Sequence, residues 1–69
     1  MKLWIYASIE DHDEKARRYF LDELKRLNIL PILHGDKVEF RYYGEKETVN
    51  ELASLAGDHQ AHNVNVWRD

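Results

Sequence analysis

The stretch 37–44, KVEFRYYG, constrains this chain more than any other, because Val38, Phe40 and Tyr42 alternate with Glu39, Arg41 and Tyr43. Successive side chains of an extended chain point to opposite faces, so the pattern is that of a strand with one buried face. Such a strand needs neighbours, and the chain supplies them. Residues 2–9 set Leu3, Ile5, Ala7 and Ile9 against Lys2, Trp4, Tyr6 and Ser8, and residues 63–67 set Val64 and Val66 inward against Asn63, Asn65 and Trp67.

The segments between these strands read as helices and a hairpin. Asp11-His12-Asp13-Glu14 has a capping acid, Asp11, with Glu14 three residues on, and carboxylates crowd the position that a helix dipole favours. Ala16, Phe20, Leu24 and Leu27 then recur at helical spacing, Leu21 widens the stripe, Lys25 and Arg26 fall in the last turn, and Asn28 is a left-handed stop. Residues 29–34 are short and apolar, and Pro31 assigns them to a sheet edge. Gly35-Asp36 fits a two-residue type II′ turn. That turn places His34 opposite Lys37, Leu33 opposite Val38 and Ile32 opposite Glu39, which puts Leu33 in the core and Ile32, with Leu30, on the other face. Thr48-Val49-Asn50-Glu51 is a second capping box, with Glu45 as the earliest start of its helix. Val49, Leu52, Ala53 and Ala56 form the stripe, and Gly57 sits where a C-terminal glycine belongs.

Strand, helix, strand, strand, helix, strand, joined by right-handed crossovers, predicts an α+β chain of the ferredoxin-like βαββαβ kind. It is a single domain over 1–69, with a four-stranded antiparallel sheet in order 4-1-3-2 and two helices on one face. The edge position of the Pro31 strand agrees with that order.

A domain of 69 residues buries only roughly 60% of its unfolded surface. Without cysteine it has no disulfide to help. Self-association is the expected supplement. The apolar start MKLWIYASIED meets acids after a run too short for a signal peptide or a span, which makes a cytoplasmic protein the expectation and membrane binding not. Ten basic residues are interspersed with thirteen acids, for a net charge of −3, which argues against nonspecific nucleic-acid or membrane-surface binding.

Helices on one side leave the other face of the sheet open, and that face would carry Trp4, Tyr6, Ile32, Glu39, Arg41, Tyr43, Asn65 and Trp67. Large exposed apolar patches mark interaction sites, and Trp, Tyr and Arg anchor them. The expected function is a small non-enzymatic binding module, an accessory or inhibitory protein. It would act by protein contact, with its own copy or a target, through Trp4, Tyr6, Ile32, Arg41, Tyr43 and Trp67. LWIYASI and KVEFRYYG resemble the two short motifs of the RNA-recognition motif family in strand placement and in carrying aromatics. The resemblance implies a second reading, in which single-stranded RNA or DNA stacks on the same face at about 1 to 3 kcal/mol per base, with Arg41 on phosphate. The chain departs from that family in lacking the basic-Gly-aromatic start of the third-strand motif and in placing Glu39 on the face.

The topology gathers His12, His34, His59 and His62 at one end with Asp11, Asp13, Asp36 and Asp58. Imidazole with carboxylate suits a divalent ion, and His59 and His62 have ligand-like spacing, so a metal-dependent activity is a third reading. Asp and Gly are also what loops and helix starts select for backbone reasons. No cofactor is implied. Ser8, Thr48 and Ser54 each have a strand-end or helix explanation, so no nucleophile and base pair is expected.

Overall fold

The computed structural model describes residues 1–68. The alternating segments are strands: β1 (Lys2–Glu10), β2 (Ile32–His34), β3 (Lys37–Glu45) and β4 (Asn63–Trp67), with helices α1 (Glu14–Arg26) and α2 (Lys46–Asp58) between them. They form one antiparallel sheet in the order β2-β3-β1-β4, which is 4-1-3-2 read from the other edge, and the fold is the ferredoxin-like βαββαβ arrangement. Gly35 alone supplies the left-handed residue of the hairpin turn, at φ 62°. The register then falls as the turn dictates, Ile32 to Glu39, Leu33 to Val38 and His34 to Lys37.

Ile5, Ala7 and Ile9 from β1 and Val38 and Phe40 from β3 meet Phe20 and Leu24 from α1 and Val49, Leu52 and Ala56 from α2 in a buried core that Ile29 completes. Phe20 and Phe40 pack with ring centroids 5.8 Å apart, and α2 lies over β1, β3 and β4. No helix among the described residues is long and apolar enough to cross a membrane.

The ends of the helices depart from expectation in instructive ways. Asp13, not Asp11, caps α1, its Oδ1 accepting from the backbone N–H of Lys15 at 3.0 Å and of Ala16 at 3.4 Å. Asp11 sits a step earlier and accepts from the Asp13 N–H at 2.9 Å. The Thr48-to-Glu51 box lies inside α2, which begins at Lys46 after an N-cap, Glu45, that makes no side-chain bond. The Lys46 N–H instead donates to the Met1 carbonyl at 3.0 Å, so a neighbouring strand end does the capping.

Both helices finish alike. Ile29 N–H reaches the Leu24 carbonyl and Asn28 N–H that of Lys25; in α2, Ala61 N–H reaches Ala56 and Gln60 N–H reaches Gly57. These paired bonds are Schellman motifs, and the left-handed residues they require are Asn28 at φ 59° and Gln60 at φ 56°. Gly57 therefore is not the terminal glycine; it lies within the last turn of α2.

Three residues assigned to the core lie on its side of the sheet yet stay wet: Leu33 is 57% exposed, Val64 40% and Val66 44%. Cover is deepest over the middle of β1 and β3, where Ile5, Ala7, Ile9, Val38 and Phe40 are buried, and it thins towards the edge strands, although α2 still reaches β4. β2 is also shorter than residues 29–34, because Ile29 is committed to the end of α1 and Pro31 has no N–H to donate.

Candidate functional site: the open sheet face

The even-numbered side chains of β1 and the odd-numbered ones of β3 and β4 share the face that no helix covers. Trp4 lies across from Tyr43 on one neighbour and from Trp67 on the other. Their rings touch in a row: Trp4 and Tyr43 centroids are 4.9 Å apart and inclined at 41°, and Trp4 and Trp67 are 6.1 Å apart and nearly parallel at 9°. Trp4 in the middle is half-buried, while Tyr43 and Trp67 are 41% and 42% exposed. The Lys2 ammonium lies 5.9 Å from the centre of the Tyr43 ring, within cation–π range.

The next row is polar, with Tyr6 between Arg41 and Asn65, and the row beyond it runs Asn63, Ser8, Glu39, Ile32. The Tyr6 hydroxyl donates diagonally to Glu39 Oε2 at 2.5 Å, and His34 Nε2 lies 3.1 Å from Oε1 of the same carboxylate. The bond from Tyr6 holds the Glu39 carboxyl below its ordinary value, and that bond with the adjacent negative charge pushes the Tyr6 hydroxyl up. Both oxygens of Glu39 are thus engaged within the face. Arg41 is exposed and has no ion-pair partner among the described residues. Tyr6, Leu30, Ile32, Glu39, Phe40 and Arg41 line a shallow hollow of about 380 Å³.

All six expected binding residues are brought to this one face, five of them on three adjacent strands, with Ile32 on the outer strand β2. Leu30, 90% exposed, joins the hollow and was legible from its two-residue spacing to Ile32 across Pro31. The ionic and hydrogen-bonded grouping of Glu39 with Tyr6 and His34 had no local signal, since its members come from three strands.

The histidines share an end of the fold but not a site. His12 Nδ1 lies 2.7 Å from Asp36 Oδ2, His59 Nδ1 lies 3.3 Å from Asp11 Oδ2, and His34 turns to Glu39 on the open face. His62 is exposed, and its backbone N–H donates to the Ser8 carbonyl at 3.2 Å. The His59 side chain is only 10% exposed, between the rings of Tyr19 and Phe20, so it serves the core as much as the loop. Arg17 ties the same end together, donating to the Asp11 carbonyl at 2.8 Å and pairing with Asp36 at 3.2 Å. Among the described residues no group of three or more His, Cys, Asp or Glu side chains is placed to hold a metal ion, so His12, His34, His59 and His62 are not brought together as a ligand set. Separate carboxylates have taken up three of the imidazoles.

No protein-family model matches the chain, and no curated protein matches it either.

Proposed function

We propose that this chain is a non-enzymatic binding module, an accessory or inhibitory protein of the cytoplasm, whose open sheet face docks on a protein target. The observation that carries this reading is the row Trp67, Trp4 and Tyr43, partly exposed rings already packed on one another on an uncovered face. Pre-packed aromatics lose little conformational freedom on binding and offer large contact area, the properties of interface anchors.

The charges of the face favour a protein over a nucleic acid. Lys2, Lys37 and Arg41 are matched on the same face by Glu10, Glu39 and Glu45, so there is no basic stripe to follow a phosphate backbone. Exposed Arg41, without an ion-pair partner among the described residues and beside Leu30 and Ile32, suits a partner that presents a carboxylate next to an apolar side chain. Stacking of single-stranded RNA or DNA on the same rings is the second reading, supported by Tyr43, Trp67 and Arg41 being accessible together.

The test compares wild type with Tyr43→Ala and Arg41→Glu as immobilised baits in extract from the native host, after circular dichroism has established that all three are folded. A protein retained by wild type and lost from both variants is the expected result. The same proteins on all baits would overturn the reading. Salt-sensitive oligonucleotide retention that both variants lose would move the assignment to nucleic acid.

A further inference from the structure

The two edges of this sheet are built differently. β2 has three residues, follows Pro31, and so presents a short edge with a missing donor, both standard protections against strand pairing. β4 has none of these. Asn63–Trp67 is five residues long, contains no charge, proline or glycine, and is exposed at every position. One side of its backbone pairs with β1, and no strand pairs with the other side among the described residues. On the helix side Val64 and Val66 project beyond the cover of α2, 40% and 44% exposed.

The two valines of Asn-Val-Asn-Val-Trp are placed symmetrically about Asn65, so this edge can meet a second copy of itself about a two-fold axis. In antiparallel pairing centred on Asn65, Val64 lies opposite the partner's Val66 and Asn63 opposite the partner's Trp67. Directly opposed side chains share a face, so valine meets valine on the helix side and polar meets aromatic on the open side. A slip of one residue would set each valine against an asparagine or Trp67 and turn the two copies' faces out of match, so the alternation itself selects the register. Because the strand is uncharged, the net charge of −3 per chain sits elsewhere and sets up no repulsion along the seam.

We propose that two copies of this chain associate by antiparallel pairing of β4 with β4, centred on Asn65. The four strands of each copy then form one continuous sheet, with both open faces on the same side and an aromatic row at each end. The pairing uses the edge and leaves the open face free, so it stands whatever that face binds.

Sedimentation velocity of the full chain tests this directly. Wild type is expected to sediment as twice its 8.3 kDa mass. Val66→Lys sets an ammonium against the partner's Val64 and raises the dimer dissociation constant by at least about tenfold, while Tyr43→Ala stays dimeric. Amide hydrogen exchange over residues 63–67 supplies a second readout that needs no variant, protection in wild type rising with protein concentration. A wild type that is monomeric at every concentration, a dimer lost in Tyr43→Ala but kept in Val66→Lys, or exchange in β4 independent of concentration would each overturn the proposal. Should Val66→Lys fail to fold, the exchange measurement decides alone.

Discussion

Gly57 and Gln60 have exchanged the roles their residue types suggest, and correcting the exchange should stabilise the protein. Gly57 lies in the last turn of α2 without a left-handed φ, and a Cβ built there meets nothing within 4 Å. Alanine at that position removes the backbone freedom that glycine loses on folding, a gain of about 0.5–1 kcal/mol. Gln60 is exposed and left-handed, a conformation that costs a non-glycine residue roughly 1 kcal/mol. Gln60→Gly recovers this but adds about 0.5 kcal/mol of freedom to the unfolded chain, for a net gain of about 0.5 kcal/mol. For a domain of this size about 1 kcal/mol corresponds to roughly 4–8 °C in Tm, so the double variant should melt about 5–10 °C above wild type. Thermal and urea unfolding followed by far-UV circular dichroism measures both effects. If Gly57→Ala instead destabilises, Gly57 itself must be the left-handed cap, because alanine is penalised there. The helix would then end three residues earlier, and the account of both Schellman motifs would fail at α2.

Three further outcomes follow from the packing and charges. Phe20→Ala empties a fully buried site against Phe40 and should cost about 3–5 kcal/mol. That is a large share of the roughly 3.5–10 kcal/mol expected for a 69-residue chain, so the variant should unfold at much lower urea and temperature than wild type in circular dichroism. Gly44→Ala drives a methyl into the Tyr42 ring, which lies over the buried glycine, and should cost about 1–3 kcal/mol; a double-mutant cycle with Tyr42→Ala should recover most of it. In pH-dependent melting, Asp11, Asp36 and Glu39 are held below their ordinary values, so the stability they lend is complete above the usual carboxylate range and disappears as pH falls through their folded values. His12 is raised above 6.5 by Asp36, so its contribution is complete below 6.5 and is lost as pH rises through the raised value; His12→Gln should flatten that alkaline decline.

The sheet was legible in the sequence because alternation and turn chemistry are local. Gly35-Asp36 set the β2–β3 register, and the parity of 2–9, 37–44 and 63–67 assigned every side chain of the open face to its side. What parity does not encode is how far cover extends. Leu33, Val64 and Val66 point to the helix side, but whether they are dry depends on two helices of 13 residues, about 20 Å long, whose cover is deepest over the central strands and thins at the edges. The end of α2 was misread for a related reason. Gly57 is the residue type that ends helices, yet ending there would forgo the bond from Ala61 to the Ala56 carbonyl that carries the chain back over the core. Packing outweighed propensity, and Gln60 took the strain. The histidines were gathered correctly by topology, but competing carboxylates three-dimensionally close to each ring decided their partners.

The contact between Trp4 and Trp67 also makes the protein its own optical probe. These are its two tryptophans, both on the open face, and the core contains neither. With the two indoles stacked 6.1 Å apart on that face and none in the core, their emission is set by what lies over the face and by the contact between them. Tryptophan emission will therefore report the covering of that face, or the departure of β4 from β1, while the far-ultraviolet signal follows the fold as a whole. A single unlabelled sample thus separates events at the binding surface from events in the core.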